Sequence, residues 1–235
     1  MITKDDYFAA LDDDVTRQRM ESTQRAAIDL KHIQDAWVLH QLKDAKGLRI
    51  LEIGGGYLRA LRTIAAHNEI WNLDDFGDDA GSIRQGRKVP TPTDWKLVRG
   101  KLGTFVSDLA GEYFDVVVSI SVVEHVHGAD AQDLFWRDHA RVMKTGAIAY
   151  HAIDFYVADE PEVHTEDRLD LLLRSFESAG LKLREPVEIE RPLRFRSRYA
   201  SNTDYGMWLW NKAVPRLALR RSYSQSVSLG VVLEK

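Results

Sequence analysis

Cysteine is absent from all 235 residues, which excludes disulfides, thiolate nucleophiles and cysteine-based zinc or iron-sulfur sites. Long apolar runs are also missing, and nothing approaches the ~18 consecutive apolar residues of a membrane-crossing helix. Internal repeats and low-complexity tracts are not found. The opening MITKDDYFAALDDD lacks the basic and apolar regions of a signal peptide, so a cytoplasmic location is expected. What is present, 44% hydrophobic and 29% charged residues, is the composition of a globular chain. The length suits one α/β domain with a modest appendage, or at most two small domains. Net charge is only -4, but it is unevenly spread. Arg191, Arg194, Arg196, Arg198, Lys212, Arg216, Arg220 and Arg221 stand close together against a single acid, Asp204.

The stretch RILEIGGGYLR carries the strongest local signal. Ile50, Leu51 and Ile53 suit a buried strand, and Gly54, Gly55 and Gly56 permit a sharp turn with close approach of a ligand to the main chain. A helix is expected over 58–66, with its amino end facing that ligand. Further strands are expected at 69–73, 95–99, 114–120, 147–153, 181–190 and 226–234. Helices are expected at 131–142 and 168–179, with one or two more within 15–42. Apolar strands alternating with helices predict a mostly parallel sheet covered on both faces, with ligands bound beyond the carboxyl ends of the strands.

The order EIGGG, LDD, FDVVVSISVVEHV and RVMKTGAIAYHAID resembles the class I S-adenosylmethionine (SAM)-dependent methyltransferases. The resemblance implies an α/β, Rossmann-like seven-stranded, mostly parallel sheet with helices on both faces, an N-terminal helical cap and an insertion before an antiparallel last strand. The corresponding divisions are 1–46 for the cap, 47–190 for the SAM-binding core, 191–222 for a basic aromatic lid and 223–235 for the final strand. By the same resemblance, Glu52, Gly54, Gly55 and Gly56 lie under the amino acid portion of SAM. Leu58 stands where many members have a third glycine. Asp74 matches the acid that takes the ribose hydroxyls, a role suited to a carboxylate with two acceptor oxygens, and Asp75 is its immediate rival. Lys101 replaces the usual acid near adenine, leaving Leu102 and main-chain groups as the expected wall. Ser119 is expected beside the methionine portion, and S-adenosylhomocysteine (SAH) would be the product.

Glu124, His125, His151 and Asp154 are expected at one edge of the sheet as the reaction centre. A histidine can take a hydroxyl proton near neutral pH while a carboxylate fixes its tautomer. His125 or His151 is the expected base, with Asp154 or Glu124 as partner. The alternatives are that Glu124 and His125 are loop structure and that His151 hydrogen-bonds across the sheet. A divalent metal held by Glu124, His125 and His151 is a further, less favoured arrangement.

The HAIDFYVADE passage is similar to glycan-biosynthesis O-methyltransferases, which suggests a small-molecule or glycan acceptor methylated on a hydroxyl. Arg194, Arg196, Tyr205 and Trp208 are candidate acceptor contacts, since arginines pair with anions and aromatics stack on sugars or bases. Their structural alternative is a lid with solvated arginines. An RNA methyltransferase and a noncatalytic SAM-binding or partner-binding module remain as other readings. The acidic overall balance weighs against nucleic acid as a partner. A homo-oligomer is compatible with the sequence.

Overall fold

Thr3 opens the first helix through a capping box: its hydroxyl oxygen accepts from the Asp6 amide at 3.1 Å, while the Asp6 carboxylate accepts from the Thr3 amide at 2.8 Å. That helix, α1 (Lys4–Asp12), is followed by α2 (Asp14–Ser22), capped by Asp13, and by α3 (Leu30–Gln41). The computed structural model describes residues 1–23, 30–77, 89–158, 163–185, 187, 189–194, 196, 198–200 and 224–235.

Seven strands follow the pattern of apolar runs: β1 (Arg49–Ile53), β2 (Glu69–Asp74), β3 (Lys96–Arg99), β4 (Phe114–Ile120), β5 (Met143–Ala158), β6 (Lys182–Leu183) and β7 (Ser224–Glu234). They pair in the order β3-β2-β1-β4-β5-β7-β6. Contacts from β3 to β5 are parallel, whereas β7 runs antiparallel to both β5 and β6. Among the described residues, this is a Rossmann-like mixed sheet with its reversal at β7.

The period of two along each strand sends alternate side chains to two helical layers. Leu51, Ile53, Val117, Ala149 and Ile153 meet Phe135, Trp136, Leu172 and Phe176 of α4 (Ala129–Val142) and α5 (Val163–Ser178). Ile50, Ile70, Val116, Val118 and Ile120 face the other way. They pack with Ile33, Ala36 and Leu39 of α3 and with Leu61 and Ile64 of a 3-10 helix, Leu61–His67. No described helix is long and apolar enough to cross a membrane.

Three expectations require correction. The helix expected at 58–66 is a turn followed by that 3-10 helix, because Leu58 takes a left-handed conformation, φ 53°, that a right-handed helix cannot contain. Among the described residues, the strand expected at 181–190 is reduced to Lys182–Leu183; the sequence itself carries a proline at 186, a residue type without the N–H that a ladder needs. The fifth strand runs well past 153, reaching Ala158 in register with Ser224 of β7. Pairing with β4 ends at Ile120 and Ala152, so the outer part of β5 projects beyond the carboxyl edge as a ribbon with β7.

Candidate active site

The glycine turn is built by two side chains at the end of β2. Asn72 Oδ1 accepts from the Gly55 amide at 3.1 Å and its Nδ2 donates to the Gly56 carbonyl at 2.8 Å. Asp74 accepts from the Gly56 amide with Oδ2 and from the Phe76 amide with Oδ1, both at 2.8 Å. A Cβ on Gly55 would stand 2.7 Å from Glu52 Cδ and 2.9 Å from Asn72 Oδ1, so a bare backbone is required there. Glu52 is itself buried in β1 beneath the turn. Gly54, at φ 66°, donates to the Leu73 carbonyl at 2.7 Å. Asn72 was missed by sequence reasoning; its only signal is a polar residue between the apolar Ile70, Trp71 and Leu73 of β2.

The two acids after β2 occupy different settings. Asp74 is buried, with each oxygen engaged by a backbone amide. Asp75, with 21% of its side chain exposed, accepts from the Gly77 amide at 3.0 Å and pairs with Lys101 at 3.1 Å. Lys101 thus meets a carboxylate at the edge of the turn. Leu102 is buried as an apolar wall in the loop after β3. That loop is fixed by Asp138 of α4, whose Oδ2 accepts from the Gly103 and Phe105 amides at 2.9 Å.

At β4 and β5 the structure separates residues expected to converge. His151 is fully buried on the α4 face, its Nδ1 2.7 Å from Ser119 Oγ and its ring 4.9 Å from that of His139. Burial lowers its pKa to about 3. Neither the base reading of His151 nor a side-chain cofactor contact by Ser119 fits this placement, because both side chains are fully buried and His151 Nδ1 is held by Ser119 Oγ, although His151 Nε2 has no hydrogen-bond partner. The cross-sheet hydrogen bond weighed as the alternative is the arrangement found.

Asp154 lies on the opposite face, an odd number of residues along the same strand. Gln34 of α3 donates to Asp154 and, at 2.9 Å, to Ser228 Oγ. Ser121 Oγ stands 2.9 Å from Gln34 Oε1 and 3.0 Å from Asp154 Oδ1, its single proton serving one at a time. Asp154 therefore does not orient His151. A shared metal site of Glu124, His125 and His151 fails for the same reason, and the described residues contain no group of three or more metal-ligating side chains.

Glu124 and His125 form a 3-10 turn, Val123–His125, beyond β4. The Glu124 side chain is only 7% exposed, and neither carboxyl oxygen has a hydrogen-bond partner. Desolvation first and the negative charge of Asp154 second raise its pKa to about 8. The Lys31 ammonium and the amides of Glu124 and Asp154 act more weakly in the opposite sense, the amides lying outside hydrogen-bond geometry. His125 points outward, 66% exposed, with Nε2 4.0 Å from Glu124 Oε1, too far for a hydrogen bond. Its pKa is lowered by partial desolvation and then by Lys31, while Asp154 opposes the change. A buried carboxyl titrating near neutrality and an exposed neutral imidazole are thus neighbours at the carboxyl edge of the sheet.

In its described part, the arginine segment is less open than its composition suggests. Arg191 pairs with Glu166 at 2.6 Å and Asp170 at 2.5 Å, and Glu190 takes Arg196 at 3.2 Å and Arg198 at 2.6 Å. Arg194 is exposed. Tyr205 and Trp208 lie outside the described residues.

No protein-family model and no curated protein sequence matches the chain. Among solved structures it is similar to a candidate sarcosine dimethylglycine methyltransferase from Galdieria sulphuraria, with 13% identity and a TM-score of 0.55 over 95% of this chain and 98% of that one. It is also similar to a TehB-like SAM-dependent methyltransferase from Corynebacterium glutamicum, with 18% identity and a TM-score of 0.53 over 93% of this chain and 95% of that one. These neighbours are methyltransferases, and the chain shares their class I fold. At such identities the likeness is one of fold, and the chemistry must be argued from the site.

Proposed function

We propose that this chain is a cytoplasmic SAM-dependent O-methyltransferase acting on a hydroxyl of a small, sugar-containing or anionic acceptor. The observation that carries the reading is the buried carboxyl of Glu124, without a hydrogen-bond partner, beside Asp154 at the carboxyl edge of β4 and β5. Buried polar groups are ordinarily paired, so an acid left open at this edge is suited to a reacting partner.

The groups around the glycine turn fit SAM. Glu52 and Gly54 to Gly56 would hold its amino acid portion, Asp74 or Asp75 its ribose and Leu102 its adenine. Asp74 is committed to the turn itself, so Asp75 is the stronger candidate for direct contact. SAM supplies an electrophilic methyl group on a sulfonium. The chain's own task is to align the acceptor, exclude water and take the acceptor proton. Glu124 performs the last step in its ionised form, the fraction of which grows as pH rises toward about 8, taking the proton on a carboxyl oxygen, and His125 offers that proton a route to solvent. Residues 1–46 serve as a cap over one face and residues 191–222 as an acceptor lid.

The testing experiment is a calorimetric titration of the cofactor-stripped protein with SAM, SAH and NAD, followed by turnover assays on hydroxyl-bearing acceptors. Saturable binding of SAM and SAH without NAD, and a fall in turnover of about 10²-fold or more in Glu124→Gln, are the expected results. Failure to bind either adenosyl compound overturns the reading. Binding without turnover across a broad acceptor panel favours a noncatalytic module.

A further inference from the structure

We propose that Arg168, assisted by His125 and His127, forms a subsite for an oxyanion carried by the methyl acceptor, either a carboxylate or a phosphate. This deepens the functional reading above and rests on it for the identity of the bound molecule as an acceptor.

Arg168 stands on α5 with its guanidinium carbon 5.2 Å from the ring centroid of Phe155, a buried residue of the projecting part of β5. The ring face holds the guanidinium plane in place. Its Nη2 is buried and has no hydrogen-bond partner. A charged donor withdrawn from water without an acceptor is costly. The guanidinium fork matches the two oxygens of a carboxylate or phosphate. Nearby arginines differ: Arg191, Arg196 and Arg198 all have carboxylate partners. Arg168 differs from these three in leaving a buried donor open.

Electrostatics around the adjacent turn point the same way. Lys31 from α3, His127 from the loop after the turn and Arg168 from α5 all act on His125 as positive neighbours, with Asp154 alone opposing them. His125 and His127 are both exposed. Lys31 and Arg168 thus bring positive charge to the turn that carries Glu124, whose own proton keeps it largely neutral near pH 7. An acceptor with an anionic group would be held at the rim by Arg168 while its hydroxyl reaches the buried acid. Anion recognition is then assigned to α5 and the turn after β4, rather than to the arginine segment favoured by composition.

The test is a calorimetric titration of the full chain with inorganic phosphate and, in a separate arm, with acetate, for wild type, Arg168→Gln and Arg168→Lys. SAH titration and thermal unfolding accompany each variant. Saturable anion binding by wild type is expected, weakened about tenfold in Arg168→Gln and partly restored in Arg168→Lys, with SAH affinity unchanged. The preferred anion tells a phosphorylated acceptor from a carboxylic one. Should Arg168→Gln fold poorly, His127→Ala, an exposed change, is expected to weaken the same anion two- to fivefold, on the order of 0.5–1 kcal/mol. Absence of saturable binding to wild type, or equal affinity in all variants, overturns the subsite. Anion binding dependent on Arg168 without SAH binding would keep the subsite and remove the methyltransferase reading.

Discussion

Ser119 Oγ and His151 Nδ1 stand 2.7 Å apart in the fully buried layer between the sheet and α4, next to the ring of His139. Two imidazoles are therefore held neutral in the core. Burial lowers His151 to about 3, and burial together with the neighbouring His151 lowers His139 well below its ordinary 6.5.

Acid stability follows from that pair. Below about pH 6.5 the unfolded chain protonates both rings while the folded chain does not, so their contribution is complete above that pH and is lost toward pH 3. His139→Phe, which keeps a ring of similar bulk, should flatten the acid limb by up to one proton, about 1.4 kcal/mol per pH unit. Urea unfolding at a series of pH values measures the slope. An unchanged slope would mean that His139 is not held neutral.

Glu124 has the opposite dependence. Its folded pKa of about 8 lies above the ordinary 4.5, so between these values the folded chain keeps a proton that the unfolded chain has released. Its contribution is complete below about pH 4.5 and erodes as pH rises to about 8. Glu124→Gln should remove that decline and stabilise the protein above pH 8 by on the order of a few kcal/mol. Denaturant melts at pH 5 and pH 9 decide this. Equal decline in both proteins would show that the carboxyl is not isolated.

Asp74 and Asp75 should separate stability from cofactor binding. Asp74→Ala leaves the Gly56 and Phe76 amides without their acceptors, a loss of about 1–3 kcal/mol for each that stays buried. Its melting temperature and SAH affinity should fall together. Asp75→Asn should melt close to wild type while binding SAH more weakly. A normal SAH affinity in Asp75→Asn would return the ribose role to Asp74.

Leu58 tests which of two opposed effects controls the turn. Its left-handed backbone, φ 53°, costs about 1–2 kcal/mol relative to glycine. The fully buried side chain is worth about 2–5 kcal/mol against truncation. Burial is the larger effect, so Leu58→Gly should be destabilised by roughly 1–3 kcal/mol in urea unfolding. A more stable variant would show that backbone strain dominates.

By itself, the sequence determined the sheet and the turn over it. Uninterrupted apolar runs have one stable destination, the inside of a two-layered sheet, and the expected strand at 114–120 is the observed Phe114–Ile120. Gly54 to Gly56 were legible as a turn because side chains there would strike Val122 or Glu52, or strain the backbone. The tertiary structure alone decided which polar residues meet. His151 and Asp154 part company because β5 stays extended through both, sending one to α4 and the other to Gln34 of α3. Likewise, the near-neutral titration of Glu124 arises from burial and the charge of Asp154. Both depend on distance through space, set by the packing of segments remote in the chain, which local residue patterns do not encode.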